Sequence, residues 1–306
     1  MNAVPSKALI EEVALELGID PAFVEKDWYV VQSIRVLMAT DLFGAQLIFT
    51  GGTALAKAHR LLQRFSEDID FRLVLPQEPP LSRSGQRKLL SKIRSQVQKV
   101  ITTHFPPDAV QWKARDENRF FSFDVDYPTV ADPSTALRPH LQIEFTVSTL
   151  SLSPLILPVS SFIAELTKTS PEIAAVACID PVENAAEKIS ALIWRVPDRV
   201  RQPADDDPDL TRHIHDLAVL QPSAVAHGEF RRLAIGVIGL DDDRCSKIKG
   251  KSLEEKTLIL LDILNADAEY RTEYIRFVQG MSYAVGGVPT YDEAIAKLKT
   301  LIDHLL

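Results

Sequence analysis

Apolar positions recur along this chain with two different periods. The N-terminal segment is helical in spacing: Ser6 can cap a helix that runs to Gly18, a natural left-handed stop. Asp20-Pro21 opens a second helix, with Val24, Trp28, Val31, Ile34 and Met38 on its apolar stripe and Arg35 as the one polar intruder. The pattern changes at Ala45. Gln46 to Thr50 is a short apolar run stopped by Gly51-Gly52, and helical spacing returns from Thr53 through Leu55 and Ala58 to Leu62. From Asp68 to Leu75 the chain alternates, with Ile69, Phe71 and Leu73 on one side and Asp68, Asp70 and Arg72 on the other, as a half-buried strand does. A Pro- and Ser-containing loop at 76–84 leads to a helix over 86–101, with Leu89, Leu90, Ile93, Val97 and Val100 inward. Strands are predicted over 120–127 and 137–147, then an irregular or edge segment over 148–158, because Pro154 and Pro158 fit poorly in a central strand. Beyond about Ser170 the pattern is almost entirely helical, over 181–196, 210–221, 225–236, 253–267, 271–281 and 290–305. Arg201 to Pro208, with Asp205-Asp206-Asp207, reads as a charged loop, and no internal repeat suggests a solenoid.

The predicted architecture is therefore α/β (α+β). A mixed-sheet domain over 1–170 holds two N-terminal helices and a strand, Gly-Gly, helix, Asp-x-Asp core. An all-helical domain over 171–306 is expected to complete an active-site cleft. The length of 306 residues suits two domains. With 34 Lys plus Arg against 42 Asp plus Glu the formal charge is −8, which excludes a globally basic nucleic-acid coat but not a local basic patch. Two cysteines, Cys178 and Cys245, form no paired motif, so a reducing, cytoplasmic setting without thiol-bound structural zinc is expected. No cationic then apolar leader pattern opens the chain, and the most apolar stretch, Leu150 to Leu166, is broken by two prolines and carries Glu165, so no membrane association is expected.

The candidate chemistry centres on Gly51-Gly52-Thr53 followed by Ser66-Glu67-Asp68-Ile69-Asp70. On a strand, residues two apart share a face with Cα atoms roughly 6.6 Å apart, so Asp68 and Asp70 project together. Such a carboxylate pair suits a hard divalent cation that keeps positions for phosphate oxygens. The glycine turn lets backbone N–H groups approach a phosphate, and Thr53 adds a hydroxyl. Glu144, on one face of its strand with Gln142 and Thr146, would stand beside the two aspartates if the strands are neighbours, either ligating metal or taking a proton. Asp124 and Asp126 have the same spacing but no glycine turn before them, and are read as a solvated face. Lys57 could reach the phosphates or simply decorate its helix. His213-x-His215-Asp216 alone is a weak metal signal.

These residues resemble the nucleotidyltransferases of the AbiEii/AbiGii toxin family, which includes the MenT toxins, within the polymerase-β-like superfamily. The resemblance runs through Glu25-Lys26-Asp27-Trp28-Tyr29-Val30, Phe49 to Lys57, Arg64 to Phe71 and Leu141 to Glu144. It continues at Glu187 to Leu192 with Arg195, and at Arg212 to Leu217, leaving the last ninety residues without a recognisable match. It implies a polymerase-β-like N-terminal domain and metal-dependent transfer of a nucleoside monophosphate from an NTP to an acceptor that is RNA, notably a tRNA 3′ end; the alternatives are the same transfer to a protein or small molecule, or a nucleotide-binding regulatory module without turnover. It also implies a cognate antitoxin. By motif, Asp68 and Asp70 are the implied Mg²⁺ (or Mn²⁺) ligands and Lys188 the cation facing the triphosphate. Asp216 is the implied further acidic residue, or else the partner that fixes Lys188. Gly51, Gly52, Thr53, Lys57, Ser66 and Arg195 complete the nucleotide-binding set. His215 stands where an aromatic is common in the family.

Residues 81–107 contain Arg83, Arg87, Lys88, Lys92, Arg94 and Lys99 and no acid, so a helix there presents a cationic face. Arg83, Arg87, Lys88 and Lys92 are the candidate backbone contacts to an acceptor RNA. An antitoxin dock or a solvated face would look the same in sequence.

Overall fold

The computed structural model describes residues 1–78, 80–202, 206–207, 210–284 and 286–306. Asp205 and Pro208 of the expected charged loop lie outside the described residues. The chain forms two compact units, Met1–Arg60 with Phe65–Ile179, and Leu61–Arg64 with Asp180–Leu306.

The first unit opens with α1 (Lys7–Leu17), capped by Ser6 and closed by Gly18 at φ 66°, and α2 (Pro21–Met38), capped by Asp20 with Pro at its first position. Seven strands follow, interleaved with helices: β1 (Gln46–Thr50), α3 (Gly51–Lys57), β2 (Asp68–Val74), α4 (Arg83–His104), β3 (Val110–Arg115), β4 (Phe120–Asp126), β5 (His140–Val147), β6 (Leu155–Val159), α5 (Phe162–Leu166) and β7 (Ile173–Cys178). They make one mixed sheet in the order β3-β4-β5-β2-β1-β7-β6. β2 runs antiparallel to β1 and parallel to β5, and β1 runs parallel to β7.

Three expectations change here. β3 and β7 were not foreseen. β7 reads Ile-Ala-Ala-Val-Ala-Cys, an alanine-rich run that locally favours helix, yet it pairs with both β1 and β6. The first unit therefore extends to Ile179 instead of ending near 170. α3 starts at Gly51 and stops at Lys57, shorter than the 53–62 helix predicted. β6 is an edge strand, the one place where Pro158 is tolerated.

One face of the sheet is aromatic and sealed. Phe49, Phe71, Phe121, Phe123 and Phe145 are all fully buried. Phe145 stacks between Phe71, at 5.4 Å, and Phe121, at 4.7 Å between ring centroids. Trp28, Val31 and Ile34 of α2 and Leu90, Ile93 and Val97 of α4 belong to the same core. Because side chains alternate, the residues between these phenylalanines face the opposite way.

The second unit is helical: α6 (Pro181–Asp198), α7 (Thr211–Ala226), α8 (Phe230–Leu240), α9 (Leu253–Ala266), α10 (Glu269–Met281) and α11 (Tyr291–Leu305). α6 packs on α7, α8 and α9, while α7 packs on α10 and α11. Capping boxes at Ser252/Glu255 and Thr290/Glu293 fix the starts of α9 and α11. No described helix is long and apolar enough to cross a membrane.

The stacked core makes a stability prediction. Phe145→Ala removes the ring shared by both stacks and is expected to cost about 3–5 kcal/mol, measured by chemical denaturation with an unchanged slope.

Candidate active site

The polar face of the sheet is built by register. Asp68 lies opposite Gln142 and Asp70 opposite Glu144 in the parallel β2–β5 pair, so all four side chains share one face. Glu144 is therefore the direct cross-strand neighbour of Asp70, the arrangement that the sequence left conditional on strand order. The same rows continue onto β4, with Ser122 beside Glu144 and Asp124 beside Gln142. Asp124, set aside as a solvated position, thus shares the face of Asp68 and Asp70, while Asp126 is exposed at the strand end.

The bend at Gly51 brings backbone against this face. Gly51 has φ 77°, and a Cβ there would collide with the Asp70 carboxylate, so only glycine permits the approach. Thr53 is fully buried and its hydroxyl donates to the Asp68 carbonyl. It staples α3 to β2 and positions Asp68, instead of presenting its hydroxyl to a phosphate as expected. Ser66 is largely buried in the segment leading into β2.

A buried ion network, without a local signature in the chain, underlies the carboxylates. Lys26 of α2, fully buried, donates to Glu67 at 2.6 Å and to the Arg138 carbonyl at 2.7 Å. The Arg138 backbone N–H donates to Glu67 at 2.9 Å, and its guanidinium reaches Asp68 at 2.7 Å and also bonds Gln142. Gln142 in turn donates to Glu144 at 2.6 Å. Burial alone would raise the Glu67 carboxyl, but Lys26 and Arg138 outweigh it and hold Glu67 below the ordinary carboxylate range. Burial draws Lys26 below its own ordinary value even with Glu67 beside it. Lys57 is corrected by the same geometry. It is buried against Asp27 at 2.8 Å with its ammonium 4.0 Å from the Phe162 ring centre, a structural pair and not a phosphate contact.

The second unit carries its own charged centre. Asp216 of α7 is fully buried and accepts from Arg64 Nε at 2.8 Å and Nη2 at 2.7 Å, a bidentate pair. Lys188 of α6 lies 2.9 Å from the same carboxylate, and His215 Nδ1 lies 3.3 Å away. Burial would raise the Asp216 carboxyl, yet Arg64 and Lys188 hold it well below the usual range. An acid so enclosed is fully occupied by its two cations. Arg195 is ion-paired with Asp207 and lies 3.2 Å from His213 Nε2. Burial, with Lys188 and Arg195 nearby, holds His213 well below the usual imidazole value and so neutral, leaving its ring nitrogen to accept from Arg195.

The candidate RNA contacts fall elsewhere. Leu90, Ile93, Val97 and Ile101 of α4 enter the aromatic core, so α4 covers the face opposite the carboxylates. Arg87, Lys88 and Lys92 therefore lie behind the sheet, and Arg83 is engaged with Glu117 at 2.7 Å.

The donor set suits a hard divalent ion. Asp68 and Asp70 offer oxygen ligands from one face at a glycine bend, with Glu144 alongside. Among the described residues no group of three or more His, Cys, Asp or Glu side chains converges as a cage. Two carboxylates with substrate oxygens and water completing the shell is the usual arrangement for magnesium.

Comparison with known proteins gives the class of the chain. MenT4, a nucleotidyltransferase toxin of Mycobacterium tuberculosis H37Rv, superposes with a TM-score of 0.59 at 18% identity, over 98% of this chain and 89% of that one. The fold is thus that of a nucleotidyltransferase toxin. The profile of a family described as nucleotidyl transferase AbiEii toxin, type IV toxin–antitoxin system, matches residues 35–297, and the chain belongs to that family. The match begins after the Glu25–Val30 block and reaches α11, well past residue 217. Two Helicobacter pylori proteins superpose too loosely to inform the fold. One, described as a nucleotidyltransferase, has a TM-score of 0.38 at 12% identity over 91% of this chain and 92% of that one. The other, JHP933, has a TM-score of 0.31 at 14% identity over 84% and 94%. No curated protein matches the sequence.

Two outcomes are expected. Gly51→Ala forces the Asp70 carboxylate aside and should abolish nucleotidyl transfer, with its loss read against a folded far-UV circular dichroism spectrum. Asp216 titrates below its unfolded value of about 3.9, so the stability it contributes is present above that pH and is lost as pH falls toward the folded value. Asp216→Asn strands Arg64 and Lys188, costs about 3–5 kcal/mol near neutral pH, and flattens the acid limb of a Tm-versus-pH series.

Proposed function

We propose that this nucleotidyltransferase toxin transfers a nucleoside monophosphate from an NTP to the 3′ end of an RNA, with tRNA the favoured acceptor, and releases pyrophosphate. The observation that carries the reading is the placement of Asp68, Asp70 and Glu144 on one sheet face at the Gly51 bend. Mg²⁺ (or Mn²⁺), when bound, would offset phosphate charge and align the reacting oxygens. Asp68 and Asp70 would hold it. Gly51, Gly52 and Ser66 would hold the triphosphate, and Lys188, paired with Asp216 within the helical unit, would be its cation. Arg195, already paired with Asp207, has a secondary place in that set. The acceptor hydroxyl attacks the α-phosphorus, the bond to the bridging oxygen breaks, and pyrophosphate departs. Glu144 takes the hydroxyl proton. Positioning and fixed charge supply most of the rate in such transfers. Membership of a type IV toxin–antitoxin family implies an antitoxin as partner.

Arg138 has a defined task in this scheme. It occupies Asp68 at 2.7 Å and balances the carboxylate until a cation replaces it.

The test is incubation of total RNA, with protein and small-molecule pools in parallel, with each labelled NTP, with and without Mg²⁺. Label is expected at RNA 3′ ends only with the metal. Asp68→Asn and Asp70→Asn are each expected to lower transfer by about a thousandfold or more while leaving the chain folded. Label on protein or a small molecule alone overturns the RNA acceptor, and retained transfer in either variant overturns the metal assignment.

A further inference from the structure

The carboxylate face does not end at Glu144. Register carries one straight row across four strands, from Asp70 on β2 to Glu144 on β5, Ser122 on β4 and Lys113 on β3. The adjacent row runs Arg72, Thr146, Phe120, Arg115. β3 is the edge strand, and Lys113 and Arg115 are exposed. The Arg115 guanidinium lies 4.1 Å from the Phe120 ring centre. Neither Lys113 nor Arg115 makes an ion pair with a described residue. The acids that follow in the chain are engaged: Asp116 lies 3.8 Å from Arg119, and Glu117 binds Arg83 at 2.7 Å. Between Lys113 and Glu144, the Ser122 hydroxyl is buried with no hydrogen-bond partner among the described residues, an unusual cost on a face otherwise well bonded.

We propose that this ledge of Lys113, Arg115, Phe120 and Ser122 is the path of the acceptor strand. It binds single-stranded RNA upstream of the attacking 3′ hydroxyl. The proposal rests on the RNA reading above and adds where the strand lies. Charge and shape both fit. Lys113 is the outermost member of the row that leads to Asp70, and Arg115 ends the row beside it, so a phosphate backbone on the edge runs inward to the carboxylates. Three strand spacings span about 14 Å, and at roughly 3.4 Å per stacked nucleotide this is about four nucleotides. The guanidinium on the Phe120 ring gives a flat cationic surface, as sequence-tolerant base stacking requires. Ser122 is placed to meet a ribose or phosphate oxygen near the reacting end. Asp124, one row over beside Gln111, discourages a phosphate there and confines the backbone to the two cationic rows. α4 cannot serve the same strand directly, because it lies across the sheet.

The test measures binding of a short, fluorescently labelled single-stranded RNA to the full chain across a salt series, without NTP. Lys113→Glu/Arg115→Glu changes only exposed side chains. It is expected to weaken RNA binding by about tenfold or more and to reduce the salt slope by about 1.4, the contribution of two single-strand phosphate contacts. NTP affinity should be unchanged. Ser122→Ala should lower transfer to RNA more than it lowers RNA affinity. If the double charge reversal leaves RNA affinity and salt slope at wild-type values, the ledge is overturned while the RNA reading stands. The same holds if only Arg87→Glu/Lys88→Glu/Lys92→Glu reduces RNA binding. Wild-type protein that binds no RNA at low salt and labels only other acceptors overturns the RNA reading and the ledge with it.

Discussion

The structure depends on one constraint, the two-residue alternation of β2 locked in parallel register with β5. It sends Ile69, Phe71 and Leu73 into an aromatic core and leaves Asp68 and Asp70 together on the far face. A slip of one residue in β2 would exchange the two sets, burying two carboxylates and exposing Phe71. The cost of that exchange is what makes the register secure. The phenylalanine stack thus fixes the positions of the carboxylates although it touches none of them.

Buried charge refines what the register sets. Lys26, Glu67 and Arg138 tie α2, the segment before β2 and the segment before β5 to one another beneath Asp68. In the other unit Arg64, Lys188 and Asp216 form an equivalent centre with one shared acid. Such groups are costly to bury, and removal of one partner leaves the other charged and dry. They act as geometric locks: each holds a cation where an unpaired one would swing into solvent.

The site and its surroundings differ in how far local sequence betrays them. Gly51, Asp68 and Asp70 are close in the chain, and a strand pattern with a diglycine stop announces them. Glu144 needed only the strand order. Arg138 carried no signal, because it sits in a loop segment whose partners come from α2 and β2. Lys57 and Thr53 had the right distance from the glycine turn to suggest phosphate contacts. Their side chains instead turn toward Asp27 and the Asp68 carbonyl, because a short helix packed on both sides leaves them no path to solvent. α4 shows its positive face plainly in sequence, but which side of the sheet it covers is a matter of packing.

By itself the sequence determined the period of each element, the mixed sheet followed by helices, the paired aspartates on one strand and the family to which the chain belongs. These follow from local spacing and from short motifs, which need no knowledge of distant contacts. Tertiary structure alone decided that β3 and β7 join the sheet, that Glu144 and Ser122 continue the row begun by Asp70, and which lysines are buried in pairs. Those outcomes turn on hydrogen bonds and ion pairs between residues far apart in the chain, where burial, not local preference, sets the energy.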